Sequence, residues 1–239
     1  MEDFDDFIAG QQPSATRPLR GMTVLVVEDS RFASEAMRLL CLRSGARIRR
    51  ADCLTSARKH LRVYRPTVVV VDLGLPDGSG AELIAELDQA SPRIDVLLGI
   101  SGDPDRRNEA EKAGADGFLE KPIDNLGVFQ QAILEHLPET ARLTTPRRVA
   151  DESISPDPIA FHEDIAHAAS VLKRRTEGRT LDYIVQFTAG LARSAHDEPL
   201  EAAAEALAKA RAMGRPVQNG VQRLRNMFQE RLALAAGEL

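Results

Sequence analysis

The chain has 239 residues, 43% of them hydrophobic and 28% charged, with a formal net charge of −5. That balance supplies a core for one large or two ordinary domains and excludes a protein that coats nucleic acid by bulk charge, although a local basic face stays open. Cys41 and Cys53 have neither metal-ligand nor paired spacing, the acidic start lacks a signal-peptide pattern, and no apolar run is long enough to span a bilayer; the expectation is a reduced, cytoplasmic chain with no membrane partner.

Residues 1–20 read as a solvated tail, with Phe4, Phe7 and Ile8 offering the alternative of a short docking segment. Residues 21–138 alternate between two periodicities. Thr23–Val27, Val68–Val71 and Ile94–Ile100 are continuous apolar runs of the kind found in strands buried on both faces of a parallel sheet, and Ala46–Ala51 and Asp116–Glu120 fit weaker strands. Helical faces fall between and after them, on Phe32, Ala36, Leu39 and Leu40, on Leu83, Ile84 and Leu87, and on Val128, Ala132, Ile133 and Leu137. The alternation predicts an α/β domain, doubly wound on a five-stranded parallel sheet.

Residues 139–158, with Pro146, Pro156 and Pro158, read as a linker. Residues 159–239 show four helical stripes and no strand pattern. The stripes run through Phe161, Ile165, Ala168, Ala169 and Leu172; Leu181, Ile184, Val185, Thr188 and Leu191; Leu200, Ala203, Ala204, Leu207 and Ala210; and Val217, Val221, Leu224, Phe228 and Leu232. Gly178, Pro199, Gly214 and Pro216 punctuate them, and an all-α, four-helix domain is the simplest closure. Each stripe is short, so pairing with a second chain is the other way to complete its core.

Parallel sheets of this kind bind ligands at the carboxyl ends of their strands. The first strand ends in Glu28-Asp29, the third in Asp72, the fourth in Ser101 and the fifth in Lys121-Pro122. Crowded carboxylates repel and favour a divalent cation, and all-oxygen ligands favour a hard one such as Mg²⁺. A carboxylate is also a nucleophile toward phosphorus, and phosphoryl transfer asks the protein mainly for positioning and charge neutralisation, which Lys121 and the hydroxyl of Ser101 can supply.

Over roughly half its length the chain resembles the response-regulator receiver domain family. The resemblance rests on VLVVEDS, VVVDLGLPDGSG, GISG and GADGFLEKP, taken in order and spacing. It implies a flavodoxin-like fold and Asp72 as phosphoacceptor. It further implies Mg²⁺ held by Asp29, Asp72 and the backbone carbonyl of Gly74 with Glu28 alongside, Lys121 as charge partner, and Ser101 and Phe118 as switch residues, the aromatic turning inward when Ser101 is drawn to the phosphate. Such a protein takes its phosphoryl group from a sensor histidine kinase or phosphotransfer protein, and is no enzyme beyond its own phosphorylation and dephosphorylation. Asp103 reads as a helix cap, or as a group orienting a hydrolytic water.

The second half is less explicit. Residues 151–239 hold 11 Lys and Arg against 13 Asp and Glu, which argues against a strongly basic DNA-binding module. The first reading is therefore a phosphorylation-controlled helical domain that dimerises or binds a protein partner. The second is a DNA-binding regulator with an unusual helical output domain. The third is a phosphorelay intermediate using His162, which precedes Glu163 and Asp164.

Overall fold

The computed structural model describes residues 13–138, 151–174 and 178–237. They form two compact units: one runs to Asp29 and resumes over Ala36–Ser155, and the other takes Ser30–Glu35 with Pro156–Leu239. The docking segment read around Phe4, Phe7 and Ile8 and the proline at 146 lie outside the described residues.

In the first unit β1 (Thr23–Val27), β2 (Arg47–Ala51), β3 (Val68–Asp72), β6 (Val96–Ser101) and β7 (Gly117–Glu120) form one parallel sheet in the order β2-β1-β3-β6-β7. The helices between and after them are α1 (Arg31–Ser44), α2 (Leu54–Val63), α3 (Gly80–Asp88), α4 (Arg107–Lys112) and α5 (Leu126–Leu134). The short antiparallel pair β4 (Gly74–Leu75) and β5 (Gly78–Ser79) inserts after β3. This is the doubly wound five-stranded architecture expected, with the small hairpin as an addition.

Every residue of β3 and β6 is buried, which is why their sequences run apolar without alternation. The two faces nonetheless build separate cores. Val24, Val26, Val68, Val70 and Leu98 meet Met37, Leu40, Phe129 and Ile133 on one side. Leu25, Val27, Val69, Val71 and Leu97 meet Leu54, Leu83, Ile84 and Ala110 on the other. The face of α1 differs from the expected one. Ala36 and Leu40 are buried and Met37 and Cys41 complete the stripe, whereas Leu39 is only partly buried and Phe32 packs with the second unit.

The segment read as linker contributes to the first unit where it is described. Leu126 N–H donates to the Glu152 carbonyl, Ile154 N–H donates to the Asp124 carbonyl, and Ile154 packs on the core.

The second unit contains α6 (Pro158–Arg174), α7 (Gly178–Ser194), α8 (Glu198–Ala212) and α9 (Gln218–Gly237). Each packs on its neighbours in the closed ring α6-α7-α8-α9, the four-helix closure expected. The buried stripes are those read from the periodicity, with Ile165, Leu172, Leu181, Ile184, Leu191, Leu200, Leu207, Leu224 and Phe228 at their centre. Pro158 opens α6 rather than ending the segment before it, a position where its missing N–H costs no helical hydrogen bond. Asp197 caps α8, accepting from the Leu200 N–H, and also accepts from the Arg231 guanidinium at 2.6 Å through each oxygen.

Candidate functional site

Parallel pairing brings the carboxyl ends of β1, β3, β6 and β7 to one edge. Glu28 and Asp29 follow β1, Asp72 ends β3, Ser101 ends β6 and Lys121 follows β7. The register pairs Asp72 with Ile100 and Ser101 with Glu120, and the Lys121 N–H donates to the Ser101 carbonyl at 2.9 Å. Gly80 permits the close return of the chain after β3, since a Cβ there would stand 2.0 Å from the Asp72 carbonyl oxygen.

Carboxylate oxygens of Glu28, Asp29 and Asp72 lie within 4.8 Å of one another. Lys121 Nζ lies 2.6 Å from Glu28 Oε2 and 2.8 Å from Asp72 Oδ2, with all three side chains buried. The Gly74 N–H donates to Asp72 Oδ1 at 3.2 Å. Burial pushes the Glu28 carboxyl up to about 8; Lys121 opposes the shift, and the neighbouring Asp72 and Asp29 add to it. Burial would lower the Lys121 ammonium, but the charges of Asp72 and Glu28 outweigh it and hold the group charged. Three carboxylates against one ammonium leave an excess of negative charge on a set of oxygen donors, a set that suits a hard divalent cation.

Ser101 is buried, and its Oγ accepts from the Asp103 N–H at 3.1 Å. Asp103 in turn caps the short turn Pro104–Arg106, accepting from the Asp105 N–H at 3.0 Å, which is the capping role read from sequence. Phe118 is buried, 7% exposed. The neighbouring Gly99 makes room for Ala110, whose Cβ would lie 2.7 Å from a Cβ there, and the Arg107 guanidinium sits 5.0 Å from the Phe118 ring centroid.

Two contacts at this edge escaped the sequence reading. Arg106 donates to the Leu73 carbonyl at 3.1 Å while pairing with Glu109, which accepts from Ser79 Oγ. Asp77 accepts from the backbone N–H groups of Leu54 and Thr55 at 2.8 and 2.9 Å, tying the loop after β3 to the start of α2. Both roles depend on partners more than twenty residues away.

The acids beside His162 are engaged elsewhere in the second unit. Asp164 is 2% exposed and accepts from Ser30 Oγ at 2.8 Å, the Phe32 N–H at 3.0 Å and the Arg31 N–H at 3.1 Å, so it caps the first turn of α1. Burial raises its pKa against the pull of those donors. Glu163 pairs with the Arg31 guanidinium at 2.7 Å. His162 Nδ1 stands 2.8 Å from the Pro158 carbonyl.

A doubly wound parallel sheet with this carboxylate and lysine cluster at its carboxyl edge defines a flavodoxin-like receiver. Residues 24–133 match the model of the response regulator receiver domain, and this part of the chain belongs to that family. The KDP operon transcriptional regulatory protein KdpE of Escherichia coli (strain K12) is 31% identical over 156 residues, which are 64% of this chain and 64% of that protein. The probable transcriptional regulatory protein TcrX of Mycobacterium tuberculosis is 35% identical over 103 residues, 43% of this chain and 44% of that protein. The chain thus spans less than two thirds of either relative. A solved response regulator protein from Burkholderia pseudomallei is 30% identical, covering 50% of this chain and 68% of that one, with a TM-score of 0.40.

Proposed function

We propose that the chain is a two-component response regulator switched by phosphorylation of Asp72. The observation that carries this reading is the sharing of the buried Lys121 ammonium between Glu28 and Asp72, at 2.6 and 2.8 Å, within the three-carboxylate cluster.

Asp72 is the nucleophile. Its carboxylate oxygen forms the new O–P bond as the bond from phosphorus to the donor breaks, and the electron pair of that bond leaves with the donor. Lys121 neutralises charge on the transferred oxygens, and Ser101 donates its hydroxyl to the new phosphoryl group. Asp29, Asp72 and the Gly74 carbonyl would hold Mg²⁺, with Glu28 as the neighbouring acid. Bound there, Mg²⁺ supplies charge neutralisation for the same transfer. The donor is a sensor histidine kinase or phosphotransfer protein, and catalysis extends no further than the chain's own phosphorylation and dephosphorylation.

The helical unit is the output element, which binds a protein partner or a second copy. Its near balance of charge supports that reading over DNA binding, although the relatives named above are transcriptional regulators. The engagement of Glu163 and Asp164 with Arg31, Ser30 and Phe32 weakens the phosphorelay reading of His162, whose acidic neighbours they were taken to be. No described helix is long and apolar enough to cross a membrane, and we place the protein in the cytoplasm.

Incubation with acetyl phosphate and Mg²⁺ tests the assignment. Wild type should acquire one phosphoryl group on Asp72, and Asp72→Asn, which keeps the shape but removes the charged nucleophile, should acquire none. Equal labelling of the Asn variant would move the site.

A further inference from the structure

The near balance of charge in the helical unit conceals a separation. Residues 171–185 and 206–229 hold nine Lys and Arg against two acids, Glu177 and Asp182, while the rest of residues 151–239 holds two against eleven. Packing brings the two basic stretches to one end of the bundle. Arg211, near the end of α8, pairs with Asp182 in α7 and donates to the Gly178 carbonyl at 3.1 Å. Arg225 in α9 donates at 3.0 Å to the carbonyl of Leu172, near the end of α6. The ends of α6 and α8 and the starts of α7 and α9 therefore meet. At the opposite end acids are paired within the unit, Arg193 with Glu201 and Glu205, and Arg231 with Asp197.

Most cations of the basic end have no such pairing. Lys173, Arg174, Arg179, Lys209, Arg215 and Arg223 are all exposed, and none has a carboxylate partner among the described residues. Helix dipoles account for part of this, since cations at the ends of α6 and α8 face the negative poles of those helices. They do not account for Arg179 in the first turn of α7 or for Arg223 near the start of α9. There the dipole favours acids, and neither helix has an acid in its first turn. Like charges gathered at one end repel one another, a cost that an anionic partner removes. The turn between α8 and α9 also presents Met213, 63% exposed.

Taking the helical unit as the output element, we propose that its basic end is the docking site for an acidic segment of a partner protein, one with an apolar side chain among its carboxylates. The carboxylates would meet cations contributed by all four helices, and the apolar side chain would cover Met213. A bundle of four helices is about 20 Å across, a distance that roughly six extended residues span. A duplex nucleic acid would bring phosphates to the cations but no apolar side chain to Met213. The rest of the chain, with twenty-two Lys and Arg against thirty-four Asp and Glu, also repels a polyanion that extends past this end.

The test uses the full chain and a fluorescent peptide of Glu with Leu at every fourth position, followed by anisotropy. The peptide should bind, and binding should weaken as salt shortens the reach of the charges. The triple variant Lys209→Glu, Arg215→Glu, Arg223→Glu has no ion pair to lose within the fold and should drop at least about tenfold in affinity, a difference readily separated from experimental scatter. Met213→Ser should weaken binding of the Glu–Leu peptide and leave that of a Glu–Ser peptide unchanged; no loss with either overturns the apolar part of the match. Failure of the Glu–Leu peptide to bind, or undiminished binding by the triple variant, overturns the proposal, and tighter binding of a duplex DNA oligonucleotide than of the peptide overturns the partner class. Titrations with and without beryllofluoride at Asp72 separate the site from its role as output. Binding that ignores the mimic keeps the docking site and detaches it from Asp72. No binding in either state, with self-association still responding to the mimic, overturns the docking site and leaves the helical unit as the output element.

Discussion

Lys121 Nζ is shared between Glu28 Oε2 at 2.6 Å and Asp72 Oδ2 at 2.8 Å, so a single buried ammonium, following β7, spans the ends of the adjacent strands β1 and β3. It both stabilises the cluster of acids and competes with any cation for the same oxygens.

That double role gives opposite signs to two measurements. Lys121→Ala leaves buried carboxylates without their counter-charge and should lower stability by about 3–5 kcal/mol in denaturant unfolding without added metal. The same variant should bind Mg²⁺ more tightly in calorimetric titration, because the competing ammonium is gone, yet should lose labelling by acetyl phosphate. Weaker Mg²⁺ binding in the variant would show that the lysine organises the oxygens rather than competing for them.

Mg²⁺ affinity should depend on pH through Glu28. Burial, with Asp72 and Asp29 adding to it and Lys121 opposing it, pushes the Glu28 carboxyl up to about 8. A cation favours the ionised form, so binding releases a proton and affinity rises with pH until about 8, by up to about tenfold per unit. Glu28→Gln should flatten that profile, while Asp29→Ala should abolish binding. A profile unchanged in Glu28→Gln would assign the released proton to another group.

Asp164→Ala removes the acceptor for Ser30 Oγ and for the N–H groups of Arg31 and Phe32. The expected cost is about 1–3 kcal/mol, with faster amide exchange confined first to the opening turn of α1. Thermal unfolding and exchange measured together check this. Asp164→Asn, which keeps one acceptor oxygen, should recover part of the loss. Stability unchanged in Asp164→Ala would mean that solvent replaces the cap at no cost.

Beryllofluoride bound at Asp72 should alter exchange protection over residues 104–137. Ser101 is held by the Asp103 N–H and Phe118 is packed under Arg107, so drawing the Ser101 hydroxyl toward the mimic disturbs the start of the turn that leads to Arg107. The shift is limited by the contacts the mimic makes differently in the two states. Ser101→Ala should weaken the response and the accompanying change in self-association while still allowing phosphorylation. A mimic that bound Asp72 and left protection and association untouched would detach the receiver from the output.

Much of this was legible from residue order. Val68–Val71 and the apolar run ending at Ile100 are continuous because strands covered on both faces have no polar side to show, and a doubly wound parallel sheet gathers its carboxyl ends at one edge. Glu28, Asp29, Asp72, Ser101 and Lys121 could therefore be grouped before any distance was known. The four helical stripes were legible for the same kind of reason, since a period near 3.6 marks the buried side of each helix.

Periodicity does not say which partner covers a stripe or what a buried polar group bonds to. Phe32 sits on the apolar side of α1 but packs with the helical unit, and Asp164, which looked like an acid serving His162, is instead a cap for a turn 134 residues away. The pairing of Lys121 with Glu28 as well as Asp72, the burial of Phe118 and the gathering of cations at one end of the helical unit are likewise matters of distance in space. Local order along the chain sets which residues point to a core and where strands end; only the packed structure decides which charges and hydrogen-bonding groups meet there, because those energies depend on separation through space and on burial rather than on spacing in the chain.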